Sequence, residues 1–169
     1  VWIFRGTPMM VQALIIYHGL RPVLNWSPVT AGITIISINT GAYMAEIIRA
    51  GIQSIDKGQN EAARSLGMTS TQTMMSIILP QAIRNSFPSI GNEFIVNIKD
   101  SSMLNVIGVI ELYFQSSSVA GSLMLYVPTF IVAAILYLLL TTLATQLLSF
   151  VEGRMNMPRS SGPSSQSVP

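Results

Sequence analysis

The sequence predicts an all-α membrane protein, and two observations support that fold class. Half of the 169 residues are hydrophobic and only 9% are charged, whereas an average soluble domain has about 25% charged residues. In addition, residues 125–150 contain no charged side chain, and this run exceeds the roughly 20 residues that a helix needs to cross the hydrocarbon layer. A bilayer accepts such apolar stretches, whereas a soluble fold would have to bury them.

The same composition argues against several functional classes. The chain has no cysteine and one histidine, so it predicts neither disulfides nor a metal site built from thiolate or imidazole ligands. Its net charge is only +2, and the basic residues are scattered, which does not favour a nucleic-acid surface. A membrane enzyme would need a nucleophile and a base, but His18 has no acidic neighbour in the sequence. A transport role is favoured instead.

The first predicted element is an outward-running helix over residues 1–20. It is largely apolar and starts without methionine or a charged flank, so we expect the chain to begin inside a helix. Two interpretations are open for residues 5–8, which include Gly6 and Pro8. They predict either a kink beside a cavity or a simple bend, with Arg5 reaching the cytoplasmic interface.

The second element is a membrane-spanning helix over residues 29–52, uncharged as far as Ala45. Small residues that let transmembrane helices approach closely lie along it: Gly32, Ser37, Gly41 and Ala42. Asn39 and Thr40 fit two roles, hydrogen bonding between helices or lining of a pore.

A polar stretch over residues 54–84 separates the second and third membrane segments, and a loop of this length usually has a function. Good helix formers precede Gly67, which suits a left-handed helix end. Thr69 and Gln72 have the spacing of a capping box. We therefore expect two short helices joined at Gly67. Ala62 and Ala63 would form a low, smooth surface that seats in another protein.

The third element, residues 88–110, is a weaker membrane candidate because charged residues interrupt it. Counting the helical rise from Pro88 places Lys99 and Asp100 near the middle of the bilayer. Glu93, Asn97 and Asp100 fall on one helical stripe, which we expect to face a pore or a partner subunit.

The last membrane element is residues 125–150, followed by a tail over residues 155–169 that is rich in Ser and Pro and is expected to be disordered. Residues 1–154 would form the membrane domain. Cytoplasmic loops collect Lys and Arg, and six basic residues flank two regions that should therefore be cytoplasmic: Arg49, Lys57, Arg64, Arg84, Arg154 and Arg159. The connections over residues 21–27 and 112–123 would lie outside.

Several motifs together resemble the permease subunits of ABC importers for polar amino acids. The central motif is similar to the EAA loop and comprises Glu61, Ala62, Ala63, Gly67, Ile78, Leu79 and Pro80. An RGTP element lies at Arg5, Gly6, Thr7, Pro8 and Gln12. Matching positions of the third helix are Asn39, Gly41, Ala42, Tyr43, Glu46 and Arg49. Those of the following segment are Gly91, Asn92, Lys99, Asp100, Ser101, Gly108 and Glu111.

The resemblance implies a MetI-like transmembrane domain in the bacterial plasma membrane, with the EAA loop and the C-terminus cytoplasmic. Such subunits usually have five helices, so this chain is expected to lack the first helix and part of the second. The implied partners are ABC ATPase subunits, a second permease subunit (the same or a sister chain), an extracytoplasmic amino-acid-binding protein, a polar amino acid and membrane lipid. ATP and Mg would bind the ATPase, and no cofactor is expected on this chain, which has no phosphate-binding G-x-x-x-x-G-K-[ST] loop.

Two sets of site residues follow from the resemblance and the pattern. ATPase coupling is assigned to Glu61, Ala62, Ala63, Gly67, Leu79 and Pro80. The substrate pathway is assigned to Asn39, Asn92, Glu93, Lys99, Asp100, Ser101 and Ser102, because polar side chains are costly at membrane depth and usually face a cavity or a partner. Here Asp100 and Glu93 would receive the substrate's ammonium group.

Two alternatives to these assignments are kept. Lys99 and Asp100 would otherwise pair with neighbouring helices or lie where the helix breaks, and so fix the fold. In a secondary transporter or channel, Glu93, Lys99 and Asp100 would bind protons or coupling ions.

Overall fold

The computed structural model describes residues 1–154, and in this range the chain forms eight α-helices with no β-strand. The helices are α1 (Trp2–Gly6), α2 (Met9–Leu24), α3 (Pro28–Gln53), α4 (Lys57–Ser65), α5 (Ser70–Thr73), α6 (Leu79–Asp100), α7 (Leu112–Leu123) and α8 (Tyr126–Arg154). A π-helical segment, Met74–Ile78, joins α5 to α6, and a 3-10 segment, Ser101–Ile107, continues α6. The predicted all-α class is confirmed.

Two helices, α3 and α8, are long and apolar enough to cross a membrane. Their bounds lie close to those predicted for the second and last elements. Along α8 only Ala133 is buried within the chain, so its leucines and isoleucines are left for lipid or for another subunit. The apolar helix α2 is shorter.

Local sequence explains where α3 begins. The Ser27 hydroxyl accepts a hydrogen bond from the Thr30 amide at 3.1 Å, which satisfies one of the free N–H groups of the first turn. Pro28 follows at the first helical position, where the missing N–H of proline costs nothing. This cap fixes the position at which α3 begins.

Small residues lie where the long helices approach one another. A Cβ atom at Gly51 of α3 would meet Ser86 of α6 and lie 2.9 Å from the Ala82 carbonyl. A Cβ atom at Gly91 of α6 would collide with Leu148 of α8. Glycine therefore permits the close packing of α6 against both spanning helices.

The buried apolar core lies where α2, α3 and the 3-10 segment meet. Its members are Met9, Ala13, Tyr17, Ala31, Ile35, Leu104 and Ile107. Ile35 is 1% exposed, and Leu104 of the 3-10 segment packs close to Gly32. The core thus fixes the end of α6 against α3.

The third predicted element, residues 88–110, has the wrong bounds. The α-helix begins at Leu79, and Asp100 is its last α-helical residue; Pro88 lies inside the helix rather than at its start. Proline inside an α-helix removes one backbone hydrogen bond and crowds the carbonyl four residues earlier, but membrane helices tolerate it where neighbouring helices and hydroxyl side chains satisfy the freed groups. The depth of Lys99 and Asp100 was counted from Pro88, so that count does not hold.

Two further differences concern the connections. The predicted outer connection over residues 112–123 is helix α7. Its three successive serines did not suggest a helix, because serine side chains also bond the backbone in caps and turns. The opening segment is two helices rather than one, since Thr7 and Pro8 have extended backbone conformations between α1 and α2. The predicted disordered tail, residues 155–169, lies outside the described residues.

Candidate functional site

The polar loop between α3 and α6 folds as a helical hairpin. The Asp56 carboxylate caps α4 by accepting from the Gly58 amide at 2.6 Å. The chain then turns at Gly67, whose φ of +81° lies in the left-handed region. Two short helices joined at Gly67 are therefore confirmed.

The second helix of the hairpin starts with the predicted capping box. The Thr69 hydroxyl accepts from the Gln72 amide at 3.3 Å, and the Thr69 amide donates to the Gln72 side chain at 2.9 Å. α5 then passes through the π-helical segment directly into α6. The hairpin is thus connected to a membrane helix without an intervening loop.

The exposed surface of the hairpin differs from the expected one. Ala63 is only 4% exposed and packs inward, so Ala62 alone of the alanine pair faces outward. Glu61 and Arg64 are exposed beside it, and Leu66, next to the turn, is 83% exposed. The predicted smooth surface of two alanines is replaced by one alanine, two charges and one protruding leucine.

The remaining motif residues of this region mark the entry into α6. Ile78 is buried at the end of the π-helical segment. Leu79 and Pro80 open α6, where proline is tolerated in the first turn. They connect the hairpin to the membrane helices rather than belonging to its exposed face.

Two polar pairs join the membrane helices. Asn39 of α3 is buried, and its side-chain amide lies 3.4 Å from the Gln12 side-chain oxygen of α2. Thr40 of α3 and Asn97 of α6 bond each other at 2.9 Å and 3.1 Å. Asn39 and Thr40 therefore form hydrogen bonds between helices, which is one of the two roles predicted for them. The same contacts direct the Asn97 side chain towards α3.

The other predicted pathway residues lie near the end of α6 with different exposures. Glu93, Asp100, Ser101 and Ser102 are half-buried, whereas Asn92 and Lys99 are exposed. Ser101 donates to the Ile98 carbonyl at 2.9 Å. Since Asp100 lies where the α-helix becomes a 3-10 segment, this region has the geometry of a helix break.

A cleft of about 430 Å³ opens beside this break, between α6, the start of α7 and α8. Its lining residues are Phe94, Asn97, Ile98, Ser101, Glu111, Leu112, Tyr137 and Leu140. Only Ser101 among the predicted pathway residues reaches it. The cleft is mostly apolar, and its polar lining residues are Asn97, Ser101, Glu111 and Tyr137.

Glu111 and Tyr137 line the cleft, and neither belongs to the predicted substrate pathway. The Glu111 carboxylate caps α7 by accepting from the amides of Phe114 at 2.6 Å and Tyr113 at 2.7 Å. It also accepts from the Tyr137 hydroxyl of α8 at 2.9 Å. Because residues 112–123 were predicted only as an outer connection, nothing in the sequence indicated a helix that Glu111 could cap. Glutamate is also outside the usual set of capping residues.

No group of three or more His, Cys, Asp or Glu side chains within residues 1–154 could hold a metal ion. The acidic residues of the long helices and of the start of α7 are instead separate from one another, at Glu46, Glu93, Asp100, Glu111 and Glu152. The arrangement therefore offers separate hydrogen-bonding points along the helices.

Comparison with known proteins agrees with this architecture. Residues 1–157 match the family described as "Binding-protein-dependent transport system inner membrane component". The chain is 40% identical over 159 residues to the "Probable amino-acid permease protein YxeN" of Bacillus subtilis (strain 168), covering 92% of this chain and 71% of that protein. It is 38% identical over 158 residues to the "Glutamine transport system permease protein GlnP" of Escherichia coli (strain K12), covering 92% and 72%.

A solved structure shares the fold. It is described as "Crystal structure of an amino acid ABC transporter with histidines" and is 47% identical to this chain. The match has a TM-score of 0.83 and covers 90% of this chain and 72% of that one.

Proposed function

The chain belongs to the family of binding-protein-dependent transport system inner membrane components, and from that premise we propose that its α4–α5 hairpin couples a polar amino acid importer to a separate ATPase. The MetI-like fold is that of an amino acid ABC transporter. The chain is accordingly a permease component of the importer and not itself an enzyme.

The protruding hairpin is the observation that carries the proposal. Leu66 is 83% exposed beside the Gly67 turn, whereas Ala63 is buried on the inward side of α4. Charges of both signs, Glu61 and Arg64, flank the exposed face. An apolar anchor surrounded by polar contacts is the usual composition of a protein-binding surface.

The connection of the hairpin to the membrane helices explains how force would be transmitted. α4 follows the end of α3, and α5 is continuous with α6. A partner that pulls on the hairpin therefore acts on both helices, which pack against each other. The ATPase dimer closing on ATP would in this way rock the membrane helices, with ATP and Mg bound to the ATPase and no cofactor on this chain.

The basic residues support a cytoplasmic hairpin and C-terminus. Arg49, Lys57, Arg64 and Arg84 lie around the hairpin, and Arg154 ends α8. Short cytoplasmic loops carry an excess of such residues. The expected environment is the bacterial plasma membrane. There the chain would pair with a second permease subunit, the same or a sister chain, and receive its substrate from an extracytoplasmic binding protein.

Replacing Gly67 tests the coupling proposal. An L-residue in the left-handed region costs roughly 1–2 kcal/mol, so Gly67→Ala distorts the turn although nothing lies within 4 Å of a Cβ atom there. We expect the ATPase recovered with the purified permease to fall by about fivefold or more. Gly19→Ala is the matched control, since a Cβ atom at Gly19 also has nothing within 4 Å, but Gly19 lies inside helix α2, where alanine causes no strain. Equal ATPase recovery from both variants would refute the coupling role.

For the substrate, we propose a path along α6 and its 3-10 continuation. Glu93 and Asp100 would receive the ammonium group, and the amide of Asn92 and the hydroxyls of Ser101 and Ser102 would receive the carboxylate or a polar side chain, with Lys99 nearby. Asn39 is left out of this path, because its side chain contacts Gln12 of α2. The break after Asp100 supports this path, because breaks in membrane helices are tolerated where the backbone is buried within protein or lines a water-filled cavity. The adjoining cleft contains Ser101.

Uptake by the Asp100→Asn variant tests the path. Removing the charge while keeping the shape should raise the concentration for half-maximal uptake several-fold, with ATPase recovery unchanged. Glu152→Gln near the end of α8 serves as a matched carboxylate-to-amide control. Normal uptake with unchanged apparent affinity in the Asp100 variant would exclude its role as a ligand.

A further inference from the structure

The break between α1 and α2 leaves backbone groups that a continuous helix would satisfy. In an α-helix the carbonyl of one residue accepts from the amide four positions later. For Phe4 that position is Pro8, which has no N–H. The Thr7 carbonyl likewise receives no backbone hydrogen bond from α2. The amide of Val11, four positions later, donates to the Pro8 carbonyl instead, as does the amide of Gln12. Unsatisfied carbonyls are costly away from water.

One side chain supplies the missing donors. The Gln12 amide nitrogen lies 2.8 Å from the Phe4 carbonyl, 2.9 Å from the Thr7 carbonyl and 2.8 Å from the Thr7 hydroxyl. Thr7 in turn donates to the Ile3 carbonyl at 2.9 Å. Gln12 is only 7% exposed, so its amide hydrogens are directed into the break rather than to solvent.

The other end of the same amide reaches α3. The Gln12 oxygen accepts from the Asn39 side chain at 3.4 Å. Gln12 therefore connects three helices, since its nitrogen holds the end of α1, its backbone belongs to α2 and its oxygen contacts α3. A leucine of similar size would fill the space but leave these polar groups unpaired.

The position of α1 has a consequence at the far end of α3. Arg5 lies 3.5 Å from Glu46 and 5.4 Å from the centre of the Tyr43 ring. Glu46 also pairs with Arg49, which donates to Gln53, the last residue of α3, at 3.0 Å. This chain of contacts runs from α1 to the residues that precede the hairpin.

We propose that Gln12 is a positioning residue for transport, which substitutes for the amide that Pro8 lacks and thereby holds α1 against the cytoplasmic half of α3. Holding α1 keeps Arg5 on Glu46, and so fixes the end of α3 from which the hairpin starts. This role rests on the proposed coupling function, but the position of α1 can be measured without it.

Cross-linking in the complete importer tests the proposal, because the chain has no cysteine of its own. The pair Arg5→Cys/Glu46→Cys, joined by a short bifunctional thiol reagent, reports whether α1 lies on α3. The pair Thr40→Cys/Asn97→Cys reports the α3–α6 contact and serves as the control for folding. Each pair is combined with Gln12→Glu, which keeps the side-chain size and an acceptor for Asn39 but removes the donors.

We expect Gln12→Glu to lower α1–α3 cross-linking at least fivefold and to leave the α3–α6 pair within twofold of its parent. In the cysteine-free protein, the same substitution should lower maximal uptake at least fivefold while the ATPase still co-purifies. The proposal would be overturned if Gln12→Glu left α1–α3 cross-linking unchanged. It would also be overturned if cross-linking of both cysteine pairs fell equally, or if uptake stayed normal although α1–α3 cross-linking was lost. If Gly67→Ala leaves the ATPase bound, the coupling function fails instead, whatever the cross-linking result.

Discussion

At the scale of single residues, hydrogen bonds between side chains hold the membrane helices in register. Gln12 with Asn39, Thr40 with Asn97, and Glu111 with Tyr137 each join two different helices. Lipid offers no competing partners, yet measured contributions of such bonds average only about 0.6 kcal/mol. Their effect is therefore to select one arrangement of helices rather than to supply most of the stability.

The Thr40–Asn97 pair gives a residue-scale prediction. In a double-mutant cycle of Thr40→Val and Asn97→Leu, the coupling free energy should be about 0.5–1.5 kcal/mol, because the two side chains bond only each other across the helices. Thermal unfolding in detergent measures it. The pair Thr34→Val and Asn97→Leu is the control, since Thr34 bonds its own helix. Additive effects in the first cycle would show that the bond is absent in solution.

Residue identities also explain which site features the sequence revealed. Gly67 and the Thr69–Gln72 capping box were predictable because each rests on local backbone chemistry within a few positions. The partners of Asn39 and Asn97 were not, since the choice between pore and helix contact depends on residues 27 and 57 positions away. The role of Glu111 was not predicted for a similar reason, because its partner Tyr137 lies 26 positions further along the chain.

At the scale of elements, hydrophobicity identified the two longest apolar helices and was less informative for α6 and α7. α3 and α8 were found with nearly correct bounds. The start of α6 was misplaced by nine residues, at Pro88 instead of Leu79, because polar residues crowd its first half and the hairpin leads directly into it. Residues 112–123 were predicted only as an outer connection; α7 forms there, packs on α8 and is capped by Glu111.

The α3–α6 contact gives an element-scale prediction. Gly51→Ala places a methyl group against Ser86 and 2.9 Å from the Ala82 carbonyl, so the two helices must separate. We expect destabilisation of about 1–3 kcal/mol and a lower yield of folded protein, measured by fluorescence-detected gel filtration and thermal unfolding. Gly41→Ala in the same helix is the control, because nothing lies within 4 Å of its Cβ position. Equal stability of the two variants would contradict the close approach.

At the scale of the whole molecule, residues 1–154 divide into a membrane part, in which glycines let α6 approach α3 and α8 closely, and the exposed α4–α5 hairpin. Most of α8 is exposed apolar surface, including Leu138, Leu143 and Leu147, which suits lipid and a second permease subunit. The α4 surface is mostly polar, with the single protruding leucine. These two surfaces imply different environments, and the continuous path from α5 through the π-helical segment to α6 joins them.

The central claim is that this hairpin touches the ATPase. A single Leu66→Cys substitution in the otherwise cysteine-free chain provides the most direct measurement, using a photoactivatable cross-linker attached to the thiol in inverted membrane vesicles of the complete importer. We expect a cross-linked product with the ATPase subunit, and we expect its yield to change when ATP is added. No ATPase product, together with labelling of the same thiol by a membrane-impermeant reagent added to intact cells, would contradict it.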